Sequence, residues 1–308
     1  MPGRVAIVSA PPDIGRRLAI PADFAAAYAH CERVARSHYE NFPVASRLLP
    51  AGMRPHVAAV YAFARAADDF ADEGDLTPAE RYRLLDDWRA RLHAPAPSPA
   101  SADPADLVFT AVAQTRRQCE LDIGLFDDLL SAFRQDVDTR RYAEWAAVLD
   151  YCRRSANPVG RLVLGIAGHR GRQVEEASDG LCTALQLANF WQDFGVDYRR
   201  GRIYLPAEVS GRRRAQEGDL AAGRWTDEWR ESLDEVVRRT RILFAQGRPV
   251  ADLVAGRLRF ELRLTWLGGT LILDRAAAPG RNPLASRPTL GAADLPELLW
   301  RAIRWPGR

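Results

Sequence analysis

An all-α protein is predicted by three observations on this 308-residue sequence. From Asp23 onward apolar residues recur at steps of three and four almost without a break. Period-two runs bounded by turn residues, the mark of strands, are nearly absent, and Pro50, Gly74 and Pro78 punctuate the joints between periodic stretches. The first twenty residues, with Pro2, Pro11 and Pro12, read as a loose arm, and 21–308 as a single all-α domain. Helices are predicted over 22–40, 52–73, 77–93, 104–121, 124–137, 143–168, 175–198, 226–246 and 249–276. Asp23, Thr77, Ser178 and Thr226 serve as caps or first-turn residues. The stretch 94–106, APAPSPASADPAD, has no apolar period and is too rich in proline for helix, so it reads as a surface loop. No internal repeat of fixed period is present.

Composition narrows the function classes. At 47% hydrophobic and 27% charged the chain is an ordinary globular protein. Basic and acidic residues stand at 43 against 40, and a net charge of +3 argues against a nucleic-acid binder. All the basic residues are arginines, so Schiff-base and P-loop lysine chemistry is excluded. Cys31, Cys119, Cys152 and Cys182 form no CxxC, and no secretory leader is read ahead of them; reduced core thiols in a cytoplasmic protein are expected. No apolar run approaches the roughly 18 residues of a membrane span. The histidines show no HExxH, which argues against a zinc hydrolase.

Two segments carry acids at helical spacing. In Val57 to Glu73, VAAVYAFARAADDFADE, the residues Val57, Tyr61, Ala64, Asp68 and Asp72 follow one stripe. The stripe begins apolar and ends in two carboxylates about 6 Å apart along the axis. Asp68 and Asp72 are therefore expected to point toward the core, with Asp69 and Glu73 at the edge of that face and Arg65 one turn earlier. In Leu181 to Tyr198, LCTALQLANFWQDFGVDY, a polar line of Gln186, Asn189, Asp193 and Asp197 crosses an otherwise apolar helix. Buried unpaired carboxylates repel, so such pairs call for a cation between them, and hard oxygen donors suit Mg²⁺. Mg²⁺ commonly bridges carboxylates to substrate phosphates, and Arg199, Arg200 and Arg202 follow the second pair as phosphate binders. The small residues of SANPVG at 155–160, with Gly165 and Gly168, leave either close helix packing or room for a hydrocarbon chain.

YAFARAADDFADE together with NFWQDFGVDYRRGRIYLP resembles the squalene and phytoene synthases, the head-to-head isoprenoid synthases, from about His30 to the 270s. The resemblance implies a single-domain isoprenoid synthase helical bundle with a central apolar cavity and Mg²⁺-dependent loss of diphosphate. By motif it makes Asp68 and Asp72 the first metal pair and Asp193 and Asp197 the second, with Asn189 completing the second site. It places Arg65 and Tyr61 beside the departing diphosphate, Tyr151 facing a carbocation, and Gln186 and Tyr204 along the same space. Arg200 and Arg202 would add to the diphosphate clamp. The aromatic faces of Phe42, Tyr61, Tyr151 and Phe190 are cation-stabilising candidates, with core packing the stronger expectation for Phe190.

Two departures bear on the substrate. Condensing members carry a Ser-rich segment where this chain reads HYENFPVAS, with Tyr39 and Asn41 in place of serines. Gln192 stands where phytoene-type enzymes have Arg. The ENFPVAS segment resembles the bacterial hydroxysqualene synthases of hopanoid biosynthesis, which ionise presqualene diphosphate and trap the rearranged cation with water. That implies Mg²⁺ without NADPH, water positioned by Tyr39, Asn41 or Gln186, and work beside a presqualene diphosphate synthase. The alternatives are condensation of two prenyl diphosphates to presqualene diphosphate, phytoene or dehydrosqualene, reductive squalene synthesis with NADPH, and a non-catalytic assembly factor. Leu295 to Arg308, LPELLWRAIRWPGR, mixes aromatic and basic residues and suggests either contact with the inner face of a membrane or a helix packed on the domain.

Overall fold

A computed structural model of the chain describes residues 18–37 and 49–306, so most of the expected N-terminal arm, and Tyr39, Asn41 and Phe42, lie outside the described residues. After a 3-10 turn at Ala22–Phe24, the first helices are α1 (Ala25–Ser37), α2 (Met53–Asp72), α3 (Pro78–His93), α4 (Pro104–Cys119) and α5 (Gly124–Asp136). Then come α6 (Trp145–Ser155), α7 (Asn157–Ile166), α8 (Arg172–Gln192), α9 (Phe194–Arg199), α10 (Ala207–Arg213) and α11 (Glu217–Ala221). The last are α12 (Asp227–Gly247), α13 (Val250–Leu253), α14 (Gly256–Ala276) and α15 (Leu295–Ile303). Among the described residues there is no strand, only an isolated bridge between Arg141 and Ile203. The protein is all-α, as its periodicity predicts.

Three expected helices are broken. The 143–168 stretch splits at Ala156, because Pro158 has no N–H to continue the ladder and is suited to the first turn of a new helix. The 249–276 stretch splits ahead of Gly256, whose φ of +63° is left-handed backbone. The 175–198 stretch bends at Asp193, at φ −96° and ψ 9°, although its N–H still bonds the Asn189 carbonyl and its own carbonyl accepts from Asp197 N–H. The short helices α10 and α11 fall in 199–225, which carries no clear apolar period.

The chain divides into two compact units. The first comprises Met1–Asp138, Pro158–Glu175 and Leu253–Leu258. Its core is an aromatic cluster with one ring from each of four helices: Phe63 (α2), Trp88 (α3), Phe109 (α4) and Phe126 (α5). Phe63 meets Phe126 edge-on at 5.2 Å, and Trp88 meets Phe109 at 4.4 Å. A buried polar knot ties α1, α2 and α4: His56 Nδ1 lies 2.9 Å from Thr115 Oγ1 and 3.1 Å from Tyr28 Oη, and Nε2 lies 3.2 Å from the Leu18 carbonyl. A carbonyl can only accept, so Nε2 donates the proton to Leu18 and Nδ1 accepts from the hydroxyls. Burial pushes the Tyr28 hydroxyl well above the ordinary phenol range, which keeps it a donor.

The end of α2 is fixed by its neighbour. Thr77 and Glu80 form a capping box that starts α3 behind Pro78. One turn on, Arg81 reaches back to α2: Nη1 donates to the Phe70 and Glu73 carbonyls at 3.1 Å, and Nη2 to the Gly74 carbonyl at 2.7 Å. Carbonyls that a helix end leaves orphaned are thereby satisfied by a side chain.

The second unit comprises Thr139–Asn157, Glu176–Asp252 and Arg259–Arg308. Its core is organised on α8 and α12. Trp191 is fully buried, and its indole N–H donates to Thr240 Oγ1 at 2.9 Å. Two glycines let the helices come close: a Cβ built on Gly247 would lie 2.3 Å from Leu181 N, and one on Gly180 would lie 3.0 Å from Gly247 N. All four cysteines are free, and burial pushes the Cys31 thiol up to about 12, so it is no nucleophile.

Candidate active site

In the first unit Asp68, Asp69 and Asp72 stand on the last turn and a half of α2. The expected stripe does not run into the core along its length. Val57 is buried, Tyr61 and Ala64 are partly exposed, the Asp68 side chain is 41% exposed and Asp72 is exposed. Met53, His56, Ala59, Val60, Phe63, Ala67 and Ala71 form the buried face instead. The physical reason is desolvation: carboxylates sit where water and a cation can reach them. That cation is Arg65, whose Nη2 lies 2.5 Å from Asp69 Oδ1 and whose Nη1 lies 3.2 Å from Asp68 Oδ2. The Arg65 Nε is buried and has no hydrogen-bond partner among the described residues. Burial raises the Tyr61 hydroxyl above its ordinary range, with Asp68 and Asp69 adding to the effect and Arg65 opposing it; Tyr61 is therefore a neutral donor.

In the second unit the helix break puts Asp193 at the junction of α8 and α9, one turn before Asp197. The polar line is not uniformly buried as expected: Asn189 is exposed, and Gln186, Asp193 and Asp197 are partly exposed. Asp193 is engaged by a residue that motif reading missed. Arg287 grips both carboxylate oxygens, with Nε on Oδ1 and Nη2 on Oδ2 at 3.2 Å. Gln192 is buried and donates to the Pro288 carbonyl at 2.6 Å, so its amide serves this backbone contact. The turn after α9 folds back on Asp197, whose carbonyl accepts from Arg200 N–H at 3.0 Å and Arg202 N–H at 2.8 Å, with Gly201 at φ +78°. The two arginines are not equivalent: Arg200 is exposed, whereas Arg202 is buried.

Tyr151, Tyr204 and Phe190 come together in this unit. Phe190 and Tyr204 stack at 3.7 Å with ring planes 3° apart, and Tyr151 lies 6.0 Å from Phe190. Tyr142, unremarked in the sequence, joins the group, its ring 5.6 Å from that of Tyr204. Phe190 is buried within this aromatic group, as core packing would place it. No local signal marked Tyr142 or Arg287. Gly195, a glycine between two motif aspartates, is the signal that could have pointed to a close backbone approach, since a Cβ there would lie 2.5 Å from the Pro283 carbonyl oxygen.

A family profile described as squalene/phytoene synthase matches residues 19–294. The chain belongs to the squalene/phytoene synthase family. It is thus an enzyme of the isoprenoid synthase class, whose members act on prenyl diphosphates. It is 39% identical over 212 residues to the hydroxysqualene synthase of Zymomonas mobilis, which covers 68% of each chain. It is 38% identical over 250 residues to that of Rhodopseudomonas palustris, covering 80% of this chain and 82% of the relative. Among solved structures it matches squalene synthase HpnC from Alicyclobacillus acidocaldarius with a TM-score of 0.78 and 38% identity, over 88% of this chain and all of the other.

Squalene/phytoene synthases generally depend on a divalent metal. Asp68, Asp72, Asp193 and Asp197 supply carboxylate oxygens and Asn189 an amide oxygen, the hard donor set that Mg²⁺ takes. Among the described residues no group of three or more His, Cys, Asp or Glu is gathered to hold a metal by itself. In each unit an arginine lies on a motif aspartate: Arg65 on Asp68 and Arg287 on Asp193.

Proposed function

We propose that this enzyme is a hydroxysqualene synthase. It ionises presqualene diphosphate, lets the cyclopropylcarbinyl cation rearrange, and captures the product cation with water, giving hydroxysqualene, diphosphate and a proton. The observation that carries the reading is the likeness to hydroxysqualene synthases at 34–39% identity over most of the chain. Asp68 and Asp72, and Asp193 and Asp197 with Asn189, would hold Mg²⁺, which when bound supplies positive charge against the leaving diphosphate. Arg65, held beside Asp68 and Asp69, Arg200 and Arg202 would add guanidinium charge, and Tyr61 a neutral hydroxyl. Tyr151, beside the stacked Phe190 and Tyr204, and whichever face of that stack is left uncovered would meet positive charge, worth roughly 2 kcal/mol per ring where dry. Tyr39, Asn41 and Gln186 are the polar groups for positioning water. No reductant enters this chemistry, so no NADPH is required.

The test is product analysis. Purified protein given presqualene diphosphate and Mg²⁺ in ¹⁸O-labelled water, without reductant, is expected to yield a labelled triterpene alcohol, read by mass spectrometry. Conversion of farnesyl diphosphate with no consumption of presqualene diphosphate would move the enzyme to the condensing branch. A need for NADPH would make it a reductive squalene synthase. The proposed substrate has to come from an enzyme that joins two farnesyl groups head to head.

The second unit also favours a cytoplasmic enzyme resting on the inner membrane surface. No helix among the described residues is long and apolar enough to cross a membrane. On α15, Leu298 and Ala302 are buried and, with Trp305 just beyond the helix, join Leu267 of α14. Leu295, Leu299 and Ile303, at steps of four, and Trp300 remain exposed, Ile303 to 68%. Arg304 lies 4.0 Å over the Trp300 ring, and Arg301 stands beside it. An apolar stripe with an interfacial tryptophan and arginines is the composition of a surface-lying helix. Sedimentation with vesicles containing anionic lipid is expected to fall severalfold in Leu299→Glu with Ile303→Glu. Equal pelleting of that variant would remove the proposal.

A further inference from the structure

The segment 283–288 is tied to the second acidic motif at four points. Gly195 is the spacer that lets the backbone in: a side-chain carbon there would lie 2.5 Å from the Pro283 carbonyl oxygen and 2.8 Å from Leu284 Cα. Gln192, immediately before Asp193, donates to the Pro288 carbonyl at 2.6 Å. Arg199, two residues after Asp197, donates to the Leu284 carbonyl at 3.4 Å. Between these anchors, Arg287 places its planar guanidinium on both oxygens of Asp193, whose side chain is 27% exposed. The three contacts from the motif side come from residues adjoining the two aspartates. The fourth occupies an aspartate itself.

A two-point guanidinium–carboxylate pair is the strong form of ion pair, and here it is reachable from solvent, with the Arg287 side chain 44% exposed. It takes one lone pair on each Asp193 oxygen and sets a positive charge where a divalent ion would have to approach. We infer that Arg287 is the resident counter-cation of Asp193, that a divalent metal binds there only by displacing it, and that displacement loosens the 283–288 strap. The inference rests on the reading of Asp193 as a metal ligand. It adds a chain-borne competitor and a segment whose attachment reports metal occupancy. The logic is charge conservation at the site. While no metal is present Arg287 offsets the carboxylate, and when a divalent ion arrives the guanidinium is both redundant and repelled.

A ligand whose site is open only part of the time binds more weakly in proportion to that fraction. Freeing Asp193 by Arg287→Gln is therefore expected to tighten metal binding about tenfold, with Arg287→Lys, a single-point cation, in between. Mn²⁺ shares the oxygen-ligand preference of Mg²⁺, and its free ion is counted directly by electron paramagnetic resonance, so it serves as the probe on substrate-free protein. Trypsin cleavage at the Arg281–Asn282 bond reads the strap. In the natural sequence Mg²⁺ should accelerate that cleavage, and in Arg287→Gln cleavage should already be fast without metal. Circular dichroism confirms that each variant is folded; should the Gln variant unfold, the Lys variant carries the test. Unchanged Mn²⁺ affinity in both Arg287 variants overturns the inference, as does Arg281 cleavage indifferent to metal. Asp193→Asn separates the two readings. If it abolishes Mn²⁺ binding while the Arg287 variants bind normally, the metal site stands and the latch falls. If it leaves Mn²⁺ binding intact, both fall.

Discussion

Asp193→Ala is expected to lower kcat/KM by about a thousandfold while leaving the far-ultraviolet circular dichroism unchanged. The size follows from what the carboxylate does. Loss of a preorganised charge at the departing group removes stabilisation that exists mainly in the transition state, so kcat falls more than KM rises. The fold should survive because Asp193 is partly exposed and at a helix bend, where no cavity opens on truncation. The strap retains its Gln192 and Arg199 bonds in that variant. Asp68→Ala should behave alike, since that side chain too lies outside the core and its salt-bridge partner Arg65 keeps Asp69. Near-normal turnover in either variant would sink the assignment of the acidic pairs to diphosphate departure. A parallel loss of helical signal would instead show that the carboxylate is structural.

The largest expected effect on stability comes from Gly247→Ala. The added methyl carbon would sit 2.3 Å from Leu181 N and 2.6 Å from Leu181 Cα, both of them main-chain atoms that no rotamer change can move. Helices α8 and α12 must therefore separate there, against the Trp191–Thr240 hydrogen bond that ties the same two helices further along. Overpacking of this kind costs about 3 kcal/mol, the upper part of its usual range. Thermal unfolding should begin several degrees lower. Gly211→Ala, on the exposed α10 where a Cβ would meet nothing within 4 Å, is the matched control and should cost nothing measurable. Equal melting of the two variants would show that the α8–α12 crossing has slack the atomic positions do not suggest.

The helices were legible because periodicity is a local property, and for the same reason their breaks were less so. Pro158 announced the Ala156 kink, and a proline acts through its own missing N–H. Asp193 leaves helical geometry with no such local cause, in a segment whose neighbours are held by residues nearly a hundred positions away. The acidic pairs were found by spacing, yet spacing located them on the wrong side of the boundary. The stripe from Val57 to Asp72 was extrapolated inward from its apolar start, whereas the desolvation of four acids within six residues forces it outward. Gln192 was marked as a lost phosphate ligand and is a buried backbone clasp. Its partner at Pro288 lies in RNPLASRPTLG, a stretch with no period at all. Tyr142 and Arg287 belong to this class of residue, meaningful only through distant neighbours. The segment that separated the hydroxysqualene reading from the condensing one, with Tyr39, Asn41 and Phe42, lies outside the described residues.

Helix ends ordinarily fray, and the first acidic pair stands on a helix end. Arg81 changes what fraying means there, because the carbonyls of Phe70, Glu73 and Gly74 are held by a guanidinium that belongs to the next helix. The last turn of α2 cannot open residue by residue from its tip; it opens when the start of α3 lets go. The unit of local unfolding is then a helical hairpin instead of a helix terminus, and its carboxylates are lost or kept together. Their spacing is thus set before any ligand arrives, so the ordering entropy of the acidic tip is spent in folding and not in binding.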